Sequence, residues 1–594
     1  MKRWIEWVAV GCLAVVILIP TSPHWRPVPD PDPSVYIYVA DQMLDGKTPY
    51  VDAWDHKQPL TYLLYAAGLW AGNRSLWGVW ILQVGLFAAA GMASISLARR
   101  VAPGWMSALV GVGGLLTVLA LLDGFSVEFM ALPFQILSMT AYHNAVAGSP
   151  PRGRRWAWAL VAGILCGLTF FLKQNLIGVA LAMFIVFLAA SFNRNRRANG
   201  LALAAFGLGA ALVAAGMLAY LASRGAISAY WSAAFEFNLD YSRAGLFTQF
   251  RYALDALETA ASVPGLWITL AWWVAALVLG LLRLAPAFSR AVVQPWLAWV
   301  LAIGGAGLAV ASLGWELVAS KHGLGIAQIA ALAVGIGAAG LGVYLIDAAR
   351  RERFGQRLAS TRLPEEPGQT AFDRARWYLL ALGLLAFPIQ VFLIGLSGRG
   401  YTYYFLPLVP IGVLLAGSVG GFLARPTPRG GGSLAASAVL ALGLFAALAY
   451  GPLLQLIGWY SRPPDAKPTA LLASIAERTT PADSIYVWGM SADVYVLSQR
   501  FAPTPYFYLA PVYQETYNSD HQVFQKLLAD LQAEPPALWI DPVTHGLQID
   551  TQACQADDGE QTGWDARLQT FLCQNYAWVD TLDGYQIFQR TTAP

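Results

Sequence analysis

The sequence predicts a polytopic α-helical membrane protein with about thirteen transmembrane helices and a C-terminal α/β domain outside the membrane. Three observations carry this prediction. Charged residues make up 12% of the 594 residues and the mean hydropathy is +0.50, whereas soluble domains carry about 25% charge. Apolar runs near the ~20 residues that cross a bilayer as a helix recur as far as residue 457. After that point the composition becomes that of an ordinary polar domain.

The apolar runs define a membrane domain over residues 1–459 and a tail domain over 460–594. The first run, in "MKRWIEWVAVGCLAVVILIP", is followed by no small-x-small cleavage site, so we interpret it as a retained first span rather than a signal peptide. The predicted spans lie near residues 7–21, 75–98, 104–122, 127–147, 156–172, 175–193, 200–222, 263–282, 293–313, 324–346, 377–396, 403–423 and 433–457.

The basic residues predict the orientation of these spans. With the N-terminus in the cytoplasm, the cytoplasmic segments hold 21 Lys and Arg, and the outer loops between spans hold ten. This bias follows the positive-inside rule and places the chain in the cytoplasmic (inner) membrane, with the first outer loop, 22–74, and the tail outside. The basic residues are scattered over many short loops, which gives no sign of a nucleic-acid partner.

The tail alternates strand and helix patterns over a usual domain length. "DSIYVWG" and "PPALWID" are typical of strands, "HQVFQKLLADLQAE" and "WDARLQTFLCQNY" of helices, and "AWVDTLDGYQIFQR" of a hairpin turning near Asp583-Gly584. Cys554 and Cys573 lie in this tail, and either a disulfide or two free thiols fits the sequence.

The first outer loop concentrates the chemistry of the chain. Residues 30–60 read "DPDPSVYIYVADQMLDGKTPYVDAWDHKQPL", with six carboxylates, one histidine and two lysines. "SVYIYVADQMLDG" predicts a short interfacial helix that ends at Gly46 and lies along the membrane surface, with Pro33 in its first turn. Asp32 would then lie at the N-terminal end, where the helix dipole favours its ionised form. By itself an Asp-Pro pair is more often only an N-cap aspartate, and the rest of the stretch favours a functional role.

Residues 30–69 resemble the first loop of the GT-C glycosyltransferases, and most closely that of the bacterial relatives of dolichyl-phosphate-mannose–protein mannosyltransferases, which include the aminoarabinose transferase of lipid A. In that family an aspartate opens the loop, and a helix to a glycine, "PY.D" and a basic "K-x-P" follow. "YYFLPLVP" at 403–410 and "IYVWG" in the tail are similar to later family motifs. The positions that match the first-loop pattern in order are Asp32, Gly46, Pro49, Tyr50, Asp52, Lys57 and Pro59.

The resemblance implies an integral-membrane glycosyltransferase that moves a sugar from a polyprenyl-phosphate donor to an acceptor hydroxyl on protein, lipid or glycan outside the membrane. By family position Asp32 is the catalytic base and Lys57 contacts the donor phosphate. The chemistry needs a carboxylate that takes the acceptor proton and cations that stabilise the departing phosphate, and direct displacement inverts the anomeric carbon. The alternative is a transporter or lipid flippase, which predicts ionisable residues at mid-span and internal repeats; the sequence shows neither.

Further candidate residues follow from the outer loops. Asp123 or Glu128 would supply a second carboxylate, and Asp123 is equally typical of a turn. Arg399 and Lys173 would add to the phosphate site, although Lys173, like Lys57, also suits a snorkelling interfacial lysine. The remaining first-loop candidates are Asp52, Asp55 and His56.

A metal cofactor stays an open possibility. The sequence departs from the family where Pro33 replaces the usual Glu and where Tyr403 replaces a histidine that binds metal in some relatives. His56 and His322 are the weak candidates for a divalent-ion site.

Overall fold

The computed structural model describes, apart from brief internal gaps, residues 3–241, short pieces between 248 and 278, and 367–396, 401–423, 452–544 and 564–591. The chain divides into two compact units. The first, here the helical unit, comprises Met1–Ile17, Val84–Ala215 and Ala244–Arg462. The second, here the polar unit, comprises Leu18–Gln83, Gly216–Arg243 and Pro463–Pro594. The polar unit therefore contains both the first outer loop and the tail. The sequence-based division at residue 459 assigns these two segments to different domains.

The helices are numbered in chain order over the described residues. They are α1 (Arg3–Leu18), α2 (Pro31–Leu44), α3 (Pro59–Ala71), α4 (Leu76–Val101), α5 (Gly104–Leu119), α6 (Val127–Val146), α7 (Arg152–Phe170), α8 (Gly178–Ser191), α9 (Arg196–Ser223), α10 (Ile227–Trp231), α11 (Phe237–Tyr241), α12 (Pro367–Gly395), α13 (Leu408–Leu423), α14 (Thr469–Arg478), α15 (Ala492–Ser498), α16 (Ala510–Tyr513), α17 (Gln522–Ala533) and α18 (Trp564–Asn575).

Five stretches of helix among the described residues are long and apolar enough to cross a membrane. They support a multi-pass membrane protein, and each coincides with a predicted span. The predicted total of thirteen is not tested, because several of those spans lie outside the described residues. The five are Trp4–Thr21, Leu76–Val101, Arg197–Ser223, Trp377–Gly395 and Thr402–Gly421.

Small residues let helices of the helical unit approach closely. A Cβ added to Gly163 in α7 would lie 1.9 Å from the carbonyl oxygen of Phe206 in α9, and one added to Gly209 would lie 2.2 Å from that of Leu160. Such backbone approach replaces hydrophobic association, which is absent between helices in lipid. The short connection between α7 and α8 is fixed by Gln390 of α12, whose Oε1 accepts the Gly178 N–H at 3.0 Å.

The tail domain contains the predicted strands and hairpin. Its sheet has the order β1-β2-β4-β3, with β1 (Ile485–Val487) parallel to β2 (Leu538–Pro542), and β4 (Tyr585–Arg590) antiparallel to both β2 and β3 (Tyr576–Leu582). The hairpin turns at Asp583 and Gly584, which both have positive φ, as a two-residue turn of this kind requires. Cys573 is disulfide-bonded; its predicted partner Cys554 lies outside the described residues.

The first-loop helix α2 packs its apolar residues on the tail. Of the four apolar residues at helical spacing, Val35, Tyr38 and Val39 are buried and Met43 is partly exposed. The Tyr38 ring stacks on Phe507 of the tail at 3.9 Å between centroids, and its hydroxyl accepts the backbone N–H of Ala502 at 3.0 Å. The apolar stripe is the one predicted from helical spacing, but protein side chains cover it.

The end of the first loop is set by a glycine contact between α3 and α4. A Cβ on Gly78 would lie 2.1 Å from the carbonyl oxygen of Gly68 and 2.6 Å from the Cα of Gly72. Neither backbone can retreat within a helix, so no larger side chain fits at position 78 without moving one helix. This contact fixes α3, and with it the residues that precede α3 in the chain.

Candidate active site

Asp32 lies in the first turn of α2, as the sequence predicts. The helix begins at Pro31 after the N-cap residue Asp30. The N–H groups of the first turn lack helical carbonyl partners, so a negative charge there is favoured. The hydroxyl of Tyr36, one turn further along, donates to Asp32 Oδ2 at 3.2 Å. The helix therefore holds a half-buried carboxylate against a tyrosine.

Lys57 lies just before α3, and two tyrosines of the same loop hold its backbone. The hydroxyl of Tyr50 donates to the Lys57 carbonyl at 2.9 Å, and the Lys57 N–H donates to the hydroxyl of Tyr62 at 3.2 Å. The Tyr50 backbone has a φ of +69° at the tight turn before this segment. In the same turn the side chain of Asp52 accepts the Thr48 N–H at 2.6 Å. The family motif residues Tyr50 and Asp52 thus shape the loop around Lys57.

The segment 227–241 of the polar unit holds the other side of this stretch. It runs through α10, a single turn of π-helix at Ser232–Glu236, and α11. The Tyr230 hydroxyl donates to Gln58 Oε1 at 2.7 Å, and the Asn238 amide donates to the His56 carbonyl at 2.9 Å. Residues 56–58 are therefore fixed from both sides.

Three consecutive side chains form a chain of polar contacts. Lys57 Nζ donates to His56 Nε2 at 2.6 Å, and His56 Nδ1 lies 3.2 Å from Asp55 Oδ1. An ammonium group only donates, so Nε2 accepts and the ring proton of neutral His56 is on Nδ1, facing the carboxylate. The hydroxyls of Tyr62 and Tyr508 donate to the two oxygens of Asp55 at 2.8 and 2.6 Å. Asp55 is 1% exposed and Lys57 is 9% exposed.

The charges of this chain agree with these protonation states. Burial acts to raise the pKa of Asp55, but its contact with His56, the Lys57 charge and the Tyr508 hydroxyl outweigh burial and hold that pKa below its ordinary range. Burial and the Lys57 ammonium lower the pKa of His56, while Asp55 and Asp32 act in the opposite direction. The site therefore contains an ionised Asp55 and a neutral His56.

The structure brings Asp32 and Lys57 to the same tyrosine. Lys57 Nζ lies 5.7 Å from the centre of the Tyr36 ring, and the hydroxyl of that ring donates to Asp32. Asp32 is also close enough to act electrostatically on His56 and Tyr508. A carboxylate from the start of α2 and a cation from the start of α3 thus meet across one aromatic side chain.

Tyr36, Tyr62 and Tyr508 were missing from the sequence prediction. Tyr36 had a usable signal, because a residue four positions after Asp32 lies on the same face of a helix. Tyr62 lies in the first turns of α3, where a buried apolar run gives no hint of a polar contact. Tyr508 had no signal, since it comes from a tail segment without a recognisable motif.

Glu128 and Lys173, both in the helical unit, pair with each other. Lys173 Nζ lies 2.5 Å from Glu128 Oε1, and it lies 3.9 Å from the centre of the Tyr404 ring. Glu128 is 2% exposed. A buried carboxylate of this kind needs a cation or donors as partners, and Lys173 supplies one. The remaining predicted residues of this group, Asp123 and Arg399, lie outside the described residues.

His56 does not fit a metal site. Its Nε2 lone pair accepts from the Lys57 ammonium, so a metal ion there would have to displace one cation with another. Across the described part of the chain, no three His, Cys, Asp or Glu side chains gather as a ligand set. The other candidate ligand, His322, lies outside the described residues, and the chemistry below uses no metal.

Comparison with known proteins finds no matching family model and no matching curated protein. Among solved structures, the chain is similar to ArnT from Cupriavidus metallidurans bound to undecaprenyl phosphate, with 13% identity, a TM-score of 0.43 and coverage of 99% of this chain and 98% of ArnT. It is also similar to the apo oligosaccharyltransferase of Archaeoglobus fulgidus, with 14% identity, a TM-score of 0.45 and coverage of 91% and 70%. Both neighbours are GT-C glycosyltransferases, the class that the first loop predicts; likeness at this level assigns no activity, substrate or residue role to this chain.

Proposed function

We propose that the protein is an integral-membrane glycosyltransferase. It transfers a hexosyl or pentosyl group from a polyprenyl-phosphate-linked donor to an acceptor hydroxyl on the outer side of the cytoplasmic membrane. The observation that carries this proposal is that one tyrosine, Tyr36, donates its hydroxyl to Asp32 and has the Lys57 ammonium 5.7 Å from its ring centre. A base and a cation within one site are what displacement of a lipid phosphate from a sugar needs.

The proposed reaction is a single displacement. The acceptor hydroxyl gives its proton to the Asp32 carboxylate as its oxygen bonds to the anomeric carbon. The bond from that carbon to the phosphate oxygen breaks, and its electron pair stays with the phosphate. Attack from the face opposite the departing group inverts the anomeric configuration. The phosphate is a good leaving group, so the site needs a cation there rather than a general acid.

Lys57 supplies that cation in the proposal. One of its three N–H groups donates to His56, which leaves two that can donate to phosphate oxygens. The neutral state of His56 leaves the positive charge on Lys57. Arg399 and Lys173 are proposed as further phosphate contacts, and Asp123 or Glu128 as a second carboxylate; within the described residues Glu128 would first have to release Lys173.

The test compares two neighbouring aspartates. Surface glycans are first analysed by mass in cells with and without the protein, which identifies the sugar and the acceptor. Transfer is then measured in proteoliposomes from the lipid-linked sugar for the wild type, Asp32→Asn and Asp30→Asn. Removing a positioned base costs about 10²–10⁴-fold, so Asp32→Asn is expected to lose at least about 100-fold.

Asp30→Asn is the matched control, because Asp30 precedes the same helix and its side chain makes no capping hydrogen bond that the substitution could remove. Its side chain faces Arg26 at 3.5 Å in an exposed pair of little energetic weight. Near-wild-type transfer by both variants would remove Asp32 as the base. If the vesicles move an unmodified lipid across the membrane and transfer no sugar, the protein is a transporter and the proposed glycosyltransferase function is wrong.

A further inference from the structure

Residues 502–508 of the tail domain make several of its contacts with the first loop. Besides the contacts of Ala502 and Phe507 with α2, the Trp54 N–H donates to the Pro505 carbonyl at 2.9 Å. The Trp54 indole N–H lies 3.4 Å from the hydroxyl of Tyr517, another tail residue. These contacts hold the segment against the loop independently of any charge.

Tyr508 adds one contact of a different kind. Its hydroxyl donates at 2.6 Å to Asp55 Oδ1, the same oxygen that faces His56 Nδ1 at 3.2 Å. Tyr508 is 2% exposed, so this hydroxyl has exchanged water for the carboxylate. The hydrogen bond is charge-assisted and buried, a combination with a large effect on geometry.

The contacts then lead directly to Lys57. Asp55 Oδ1 lies 3.2 Å from His56 Nδ1, a close polar contact that is not aligned as a hydrogen bond, and the ring presents Nε2 to the Lys57 ammonium at 2.6 Å. A lysine side chain has four rotatable bonds and is otherwise free to swing, so one acceptor in a fixed place decides where its charge lies. Without the Tyr508 hydroxyl, Asp55 would keep its bond from Tyr62 at Oδ2, but Oδ1 would lose the donor that holds it beside His56, and the imidazole and ammonium would shift with it.

We propose that the tail domain is a working part of the donor-phosphate site, in which Tyr508 positions Lys57 through Asp55 and His56. This inference rests on the proposed function, since it assumes that Lys57 binds the donor phosphate. Tyr508 is a positioning residue and touches no reacting atom. The tail is then needed for donor binding, whatever it contributes to acceptor recognition.

The test measures binding of undecaprenyl phosphate to the purified full-length protein in detergent, which needs no sugar transfer. The variants are Tyr508→Phe, Lys57→Gln and the double variant. Tyr508→Phe keeps the ring contacts with the loop and loses only the hydroxyl. Loss of one hydrogen bond to a charged group is expected to weaken binding about fivefold in the wild-type background and to have almost no effect in the Lys57→Gln background.

Tyr486→Phe is the matched control. Tyr486 is a fully buried tail residue whose hydroxyl donates to the Tyr506 carbonyl at 3.0 Å, away from Asp55. It should leave lipid binding unchanged and lower the melting temperature less than Tyr508→Phe does, because its hydroxyl donates to a neutral carbonyl instead of a carboxylate. A melting curve of each variant verifies that the fold is retained.

The outcomes separate the two proposals. Equal weakening by Tyr508→Phe with and without Lys57, or none in the wild-type background, would overturn the positioning role and leave the Lys57 contact standing. If Lys57→Gln itself binds undecaprenyl phosphate as tightly as the wild type, the phosphate contact in the proposed function is wrong, and the positioning role falls with it.

Discussion

The buried carboxylate of Asp55 offers a direct measure of how much the site contributes to the stability of the polar unit. In Asp55→Asn the side chain keeps its shape but loses its charge. The hydroxyls of Tyr62 and Tyr508, at 2.8 and 2.6 Å, then meet a neutral amide, and the contact with His56 loses its electrostatic part. The lowered pKa of Asp55 shows that the folded protein favours the charged carboxylate over the neutral one. A neutral side chain at this position should therefore lower the free energy of unfolding.

The magnitude follows from the two hydrogen bonds. A hydrogen bond to a charged group contributes roughly 1.5–3 kcal/mol, and one between neutral groups roughly 0.5–1.5 kcal/mol. Two such losses give a decrease of about 2 kcal/mol in the free energy of unfolding. For a unit of roughly 150–250 residues this corresponds to a melting temperature lower by about 4–8 °C.

The assay is thermal unfolding of the purified protein in detergent, with Asp52→Asn as the control. Asp52 belongs to the same loop, but its side chain is exposed and its oxygen accepts a single backbone N–H. Its replacement should lower the melting temperature by no more than about 2 °C. The lowered pKa of Asp55 keeps this carboxylate ionised at neutral pH, so the difference between the two variants should be constant from about pH 7 to 8, above the range in which His56 takes a proton. Equal melting temperatures for the two variants would refute the structural role of the Asp55 contacts.

Three further predictions use other parts of the chain. Gly78→Ala brings a Cβ within 2.1 Å of a backbone oxygen and should destabilise the protein by several °C, whereas Gly85→Ala, on the same helix with open space around it, should not. Glu128→Gln leaves Lys173 buried without its carboxylate and should cost about 3 kcal/mol, most of which the double variant with Lys173→Met recovers in the same melting assay. The wild type should lose stability as the pH falls below about 6.5, because unfolded histidine takes a proton that folded His56 resists, and His56→Gln should reduce this slope in a pH series of melting curves.

Local patterns predicted the strands, the hairpin and two helices of the tail, α17 and α18, because each of these carries its own signal, whereas the shorter helices α14, α15 and α16 were not predicted. The helix α17 has apolar residues at helical spacing, and the hairpin has Asp583 and Gly584 at the one turn that tolerates positive φ in both positions. The first-loop helix was predicted by the same rule. What covers its apolar face was not, because spacing shows which residues are buried and says nothing of whether lipid or protein buries them.

The part of the candidate site that comes from one continuous stretch of sequence, the first loop, was predictable. Asp32 and Lys57 came from a motif read along one loop, and the structure places both beside Tyr36. Tyr508 could not be found in this way, since its partner Asp55 is 453 positions away and tyrosine is as common in membrane-interface belts as in polar sites. Contacts of that kind depend on how the tail docks, which no local pattern records.

The six carboxylates of the first loop divide by their partners, and the division explains why so apolar a chain keeps them. The partners are Arg26 for Asp30, Arg74 for Asp41 and Asp45, the Thr48 N–H for Asp52, and Tyr62 and Tyr508 for Asp55, while the sixth carboxylate, Asp32, accepts from Tyr36. Asp32 differs from them in place: it lies at a helix start, half-buried, across an aromatic ring from a lysine whose own position is fixed by two of its neighbours in sequence. A loop that only needed to remain in water would not require a buried carboxylate to orient a histidine and a lysine. Most of the acidic residues in the loop therefore serve to fix its structure, and that structure holds Asp32 and Lys57 in place.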